Sequence, residues 1–86
     1  MSFLDENIIP GHYGKVFGTD AKKEKDLIKI KKAIEKIPGV EDVILNMDVF
    51  PLEFTVHTSS MVKIDAIANA ANRIGFHAIP KALFAL

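Results

Sequence analysis

The chain of 86 residues contains no cysteine, and its eleven basic and eleven acidic residues cancel to a formal net charge of zero. This length allows one domain with one core, and the missing thiols exclude disulfides, thiolate metal sites and cysteine nucleophiles. Because the balanced charge gives no positive field, and neither a secretory signal nor a run of about 18 apolar residues is present, we expect a cytoplasmic protein with no nucleic-acid or membrane partner.

The N-terminal part of the chain is predicted to be a lead-in followed by a strand. Residues 1–10 mix acidic and apolar types and end at Pro10, which favours an extended approach to the next element. The stretch from Tyr13 to Phe17 has glycines on both sides and predicts the first strand.

Two stretches of the chain repeat the same apolar spacing 37 positions apart, and each predicts a helix that buries one stripe. The two stripes are Leu27, Ile30, Ile34 and Ile37, and then Ile64, Ile67, Ala71 and Ile74. We expect Thr19 or Asp20 to cap the first helix. Ser59 or Ser60 is expected to cap the second.

The segment between the two helices predicts a pair of strands. The run from Val43 to Val56 alternates apolar and polar residues and is interrupted by Asp48 and Pro51, which is typical of a hairpin. A further strand is predicted over 76–79, after the second helix.

These elements predict an α+β domain with the ferredoxin-like βαββαβ plan over residues 11–80. In this plan a four-stranded antiparallel sheet has the strand order 4-1-3-2, with two helices on one face. Pro80 is expected to limit further pairing of the last strand. Residues 1–10 are then an N-terminal tail, and residues 81–86 are an appended apolar tail.

Two segments carry apolar, asparagine and glycine positions in a characteristic order, one from Ile37 to Asn46 and the other from Ile67 to Phe76. They resemble the heavy-metal-associated (HMA) domain family, which includes the small copper and zinc chaperones and the N-terminal modules of metal-pumping ATPases. In that family a Gly-Met-x-Cys-x-x-Cys loop holds the metal, and the resemblance places its two cysteine positions at Lys23 and Asp26. Neither residue offers a thiolate. The resemblance therefore implies the fold, with a degenerate metal loop and no metal cofactor.

Histidine is the other metal ligand that the sequence offers. In the ferredoxin-like plan His77 lies near the end of the domain at which the family binds metal, whereas His12 and His57 lie toward the opposite end. A heavy-metal-binding protein that uses histidine or carboxylate ligands is therefore the first alternative function.

The start of the first helix gives a second alternative, a small-anion site. The free N–H groups of a helix N-terminus favour anions, and Lys22, Lys23 and Lys25 add positive charge there. No catalytic motif competes with these readings, because Ser59 and Ser60 are explained as helix caps and lack a nucleophile-elbow sequence. We expect no enzyme.

The resemblance to the HMA family places Tyr13, Phe17, Ile44 and Ile79 on the sheet face opposite the helices, where they predict an interaction surface. This face is more apolar than a solvated sheet requires, so the predicted function is a protein-interaction or regulatory module that binds a protein partner or a second copy. Alternatively, the apolar tails cover the face within one chain. A shift of one residue in the first strand would turn Tyr13 and Phe17 into the core and Val16 outward.

Overall fold

The computed structural model describes residues 7–86. The elements in chain order are β1 (Ile8–Ile9), β2 (Tyr13–Thr19), α1 (Glu24–Glu35), β3 (Val40–Asn46), β4 (Glu53–Thr58), β5 (Val62–Lys63), α2 (Ile64–Arg73) and β6 (Ala78–Ala85). No helix in this part of the chain is both long and apolar enough to span a membrane. Most of the predicted N-terminal tail, residues 1–6, lies outside the described residues.

The main sheet has four strands in the order β3-β4-β2-β6, and all neighbouring strands are antiparallel. This is the predicted order 4-1-3-2, which is confirmed together with the ferredoxin-like α+β plan. The helices pack on one face of the sheet, since α1 contacts β3 and α2 contacts β6. The opposite face carries no helix from the described part of the chain.

The core lies between that sheet face and the predicted helical stripes. Its buried helical members are Leu27, Ile30 and Ile34 of α1 and Ile64, Ile67, Ala70 and Ala71 of α2. Ile37 is only half-buried, and Ile74 is exposed because α2 ends at Arg73 and Ile74 is its C-terminal cap. The prediction of two buried stripes is confirmed except at the last residue of each stripe.

A short second sheet ties the N-terminal segment to the domain. Ile8 pairs with Lys63 and Ile9 pairs with Val62, and the Ile9 side chain is fully buried in the core. The expectation of a tail is therefore wrong for these residues. Burial of an isoleucine against other core side chains supplies the driving force that a polar tail would lack.

Thr58, at the end of β4, is a fully buried polar residue that holds this segment. Its hydroxyl donates to the carbonyl of Pro10 at 2.6 Å and accepts from the backbone N–H of Tyr13 at 3.2 Å. Its carbonyl accepts from the backbone N–H of His12 at 2.9 Å. One threonine thus satisfies backbone groups between β1 and β2 that would otherwise be buried without partners.

The predicted C-terminal tail is wrong, because β6 continues through Pro80 to Ala85 and remains paired with β2. Pro80 lies opposite Phe17, and the register shifts between Lys15 and Phe17. The strand tolerates proline because β6 is at the edge of the sheet, where a residue without an N–H can face away from its neighbour.

The predicted helix caps are also wrong. Lys23 precedes α1 and Lys63 precedes α2, and neither helix start has a side-chain cap. Thr19 instead accepts from the backbone N–H of Ala21, and the serines predicted for α2 lie before β5, which separates them from the helix. Both helices therefore begin several residues later than the capping residues suggest.

Candidate functional site

The loop between β2 and α1 is the segment in which the HMA resemblance implies a metal loop. Lys23 is exposed at the helix start, and Asp26 lies in the first helical turn, where its backbone N–H donates to the carbonyl of Lys23. An ammonium group and one carboxylate do not fit the sulfur-seeking ions that the family carries. Within residues 7–86, no group of three or more histidine, aspartate and glutamate side chains is placed to hold a metal ion.

His77 has one close partner, Asp20, which lies in this loop. The backbone N–H of His77 donates to Oδ1 of Asp20 at 2.8 Å, and ring Nδ1 lies 2.9 Å from Oδ2. An ionised carboxylate only accepts hydrogen bonds, so this contact with ionised Asp20 requires a ring that carries a proton on Nδ1. The hydrogen bond from the His77 side chain, followed by that from its backbone, lowers the pKa of Asp20. This pair fastens the start of β6 to the β2–α1 loop.

The histidines are not brought together. His12 lies before β2 and His57 near the end of β4, beside Gly14, at the sheet end opposite to Asp20 and His77. His77, the alternative metal ligand, is therefore paired with Asp20 alone among the described residues, and the sequence did not indicate Asp20 as its partner.

An apolar hollow of about 320 Å³, which we call the loop hollow, lies beside this pair. Residues 18–22 form one wall, Phe50 and Pro51 of the β3–β4 hairpin form another, and Ile79 and Lys81 of β6 complete it. Phe50 is 75% exposed, and Ile79 is 59% exposed. The loop hollow thus lies next to the segment in which the HMA resemblance implies a metal loop, and neither Lys23 nor Asp26 lines it.

The charged groups around the loop hollow differ in how they are paired. Asp20 is bonded to His77, and Nζ of Lys81 lies 2.9 Å from Oε2 of Glu53. Lys22 is exposed and forms no ion pair with another described residue. The hollow is therefore apolar inside, and its lining charge without an ion pair among residues 7–86 is the Lys22 cation.

The predicted open-face surface is partly misplaced. Ile44 is 47% exposed and Ile79 lies on the same open side, as predicted. Phe17 is fully buried, and Tyr13 is half-buried against the core. Since the side chains of a strand alternate, burial of Phe17 turns Val16 to the open side. The one-residue shift is thus the observed register.

Glycines on the open side of β2 make room for side chains of β6. A Cβ built on Gly14 would lie 2.6 Å from the ring of Phe84, and one on Gly18 would lie 3.1 Å from the side chain of Lys81. Phe84 therefore lies directly on the sheet surface and remains 42% exposed. The C-terminal segment therefore extends the sheet as an edge strand, and only its side chains lie on the open face. Ile8 and Ile9 pair with β5 and do not cover that face.

Comparison with protein families gives no match for this sequence, and comparison with curated proteins gives none either. Among solved structures, the chain is similar to the apo form of the HMA domain of a copper chaperone for superoxide dismutase. The identity is 18% and the TM-score is 0.65, and the match covers 95% of this chain and 79% of that chain. At this identity the likeness shows the fold. The chain has the ferredoxin-like α+β fold of an HMA domain.

Proposed function

We propose that this chain is a non-enzymatic HMA-like domain that binds a protein partner through the loop hollow and does not carry metal on thiolates. The observation behind the proposal is Phe50, a large aromatic side chain that is 75% exposed beside an apolar hollow of about 320 Å³. Exposed aromatic residues next to apolar concave surface are typical of protein-binding sites.

The partner is inferred to present a large apolar side chain next to a carboxylate. The apolar walls formed by Phe50, Pro51 and Ile79 can contact the apolar side chain of the partner. Lys22 can form an ion pair with the carboxylate of the partner, because it is the lining charge without an ion pair among the described residues. Burial of one such apolar side chain contributes about 1.5–3 kcal/mol before the costs of association, so the acidic contact adds specificity to a modest affinity.

A random-peptide library selected against the protein tests this proposal. Enriched peptides are expected to pair a leucine or an aromatic residue with aspartate or glutamate, and their binding, measured by fluorescence anisotropy, should be lost in Phe50→Ser and weakened in Lys22→Glu. Met61→Ser is the matched control, since Met61 is also an exposed apolar residue but does not line the hollow. Equal binding to wild-type protein and Phe50→Ser would contradict the proposal.

Two titrations followed by NMR separate the alternatives. If the protein binds metal through histidine or carboxylate ligands, adding Zn²⁺ or Cu(I) should shift the NMR signals of Asp20 and His77 most. Our proposal predicts that the signals of Asp20 and His77 shift no more than those of His57. A small-anion protein should respond to phosphate at the amides of residues 22–26. A one-to-one Cu(I) complex of picomolar strength in a competition assay would overturn the proposal in favour of the metal function.

A further inference from the structure

The two edges of the main sheet differ in how well they are protected against pairing with another strand. Edge strand β3 carries Glu41 and Asp42, and Lys31 of α1 donates to the carbonyl of Val43. Charges on an edge strand oppose strand addition. The other edge, β6, has one charged residue, Lys81, whose side chain pairs with Glu53 of β4 and whose carbonyl accepts from Nζ of Lys15. The part of β6 without such contacts follows Lys81.

Strand β6 is exposed along nearly its whole length. Every residue from Ile79 to Ala85 is exposed, and β2 is its one sheet neighbour in the described part of the chain. The residues at this edge are apolar except for Lys81. A long apolar edge of this kind is a template for another strand.

The hydrogen bonds at the end of β6 show which backbone groups face outward. The N–H of Leu86 donates inward to the carbonyl of His12 at 3.1 Å. Because successive residues of an antiparallel strand point their backbone groups to opposite sides, Phe84 also faces inward, whereas Leu83 and Ala85 face outward. The outward-facing N–H and C=O groups of Leu83 and Ala85 are therefore free to pair with another strand.

We propose that β6 pairs antiparallel with β6 of a second copy of this chain, so that the two sheets become continuous. The register that uses both outward residues places Leu83 of each copy opposite Ala85 of the other. The two Phe84 rings, each lying on its own sheet above Gly14, then meet across the two-fold axis on the open face. This interaction goes beyond the proposed function, because it uses the edge of the sheet and leaves the loop hollow free.

A second copy fits this edge better than a charged segment does. Two identical edges with no unpaired charge among the described residues are self-complementary, and a two-fold axis makes each contact twice. The pairing involves few residues, so the dimer should be weak, as is typical of small interfaces. We expect it to form as the protein concentration rises from about 10 µM to about 1 mM.

Sedimentation velocity over this concentration series tests the proposal with the full chain. Wild-type protein should move from monomer toward dimer, and Leu83→Lys should weaken association by about tenfold or more, since lysine protects edge strands. Ala85→Pro, which removes an outward N–H, should have the same effect. Met61→Lys is the control, because it adds the same charge at an exposed apolar residue that belongs to no strand and should associate as wild type does.

Hydrogen exchange of wild-type protein gives a test that needs no variant. The amides of Leu83 and Ala85 should be protected at high concentration and exchange freely on dilution, whereas the inward amide of Phe84 stays protected throughout. A monomer at the highest concentration, or a dimer that survives both edge variants, would overturn the proposal. Phe50→Ser should leave dimerisation unchanged, and Leu83→Lys should leave peptide binding unchanged, so this inference and the proposed function can fail separately.

Discussion

The rings of Phe17 and Phe54 stack across the two central strands of the sheet, with centroids 5.3 Å apart and planes inclined by 10°. The two residues are direct partners in the β2–β4 ladder, and both are fully buried. This pair sets the register of β2, because moving Phe17 to the open face would empty the centre of the core.

Replacing Phe17 with alanine should therefore destabilise the fold strongly. We expect Phe17→Ala to lower the free energy of unfolding by about 3–5 kcal/mol, as for other large-to-small changes in a core. Ile79→Ala, on the exposed side of β6, should change it by less than about 0.5 kcal/mol. Urea denaturation measures both. A near-wild-type midpoint for Phe17→Ala would place this ring on the open face.

The hydroxyl of Thr58 gives a second prediction. Thr58→Val keeps the side-chain shape but leaves the carbonyl of Pro10 and the N–H of Tyr13 without their partner, so it should cost about 1–3 kcal/mol. Thr55→Val is the matched control on the open side of β4 and should be close to neutral. Equal denaturation midpoints for the two variants would show that the Thr58 hydroxyl does not anchor the N-terminal segment.

The bond between Asp20 and His77 gives a prediction about pH. Since His77 lowers the pKa of Asp20 from its ordinary value of 3.8, the ionised carboxylate stabilises the folded state above that pH. This stabilisation should be lost as the pH falls from 3.8 through the lower folded-state pKa. An NMR titration of the Asp20 carboxyl carbon measures that pKa directly.

His77→Ala should raise the pKa of Asp20 toward 3.8, because the hydrogen bond from the His77 side chain is the largest cause of the lowered pKa. The hydrogen bond from the backbone N–H of residue 77 can remain in this variant. His57→Ala removes an imidazole at the opposite end of the sheet and should leave the pKa of Asp20 unchanged. An unchanged value in His77→Ala would show that the pair does not form in solution.

The structure explains why some residues of the candidate site were predicted and others were not. Ile44 and Ile79 were assigned to the open face by the resemblance to the HMA family, and that assignment holds because both residues are exposed. In β2 the glycines at 14 and 18 left two alternating patterns with similar apolar content, and only the contact of Phe17 with Phe54 decides between them. The loop hollow involves the hairpin residue Phe50 and residues far from it in sequence, so no local pattern indicated it.

The amino-acid sequence by itself determined the two helices, the hairpin and the lack of thiolate ligands. These properties follow from apolar periodicity and residue chemistry, which act over a few neighbouring positions. Only the tertiary structure decided the register of β2, the extension of β6 beyond Pro80, the burial of Ile9 and the pairing of Asp20 with His77. Each of these depends on contacts between residues distant in the chain, where packing and hydrogen bonding outweigh the local preference of a proline, a glycine or a capping residue.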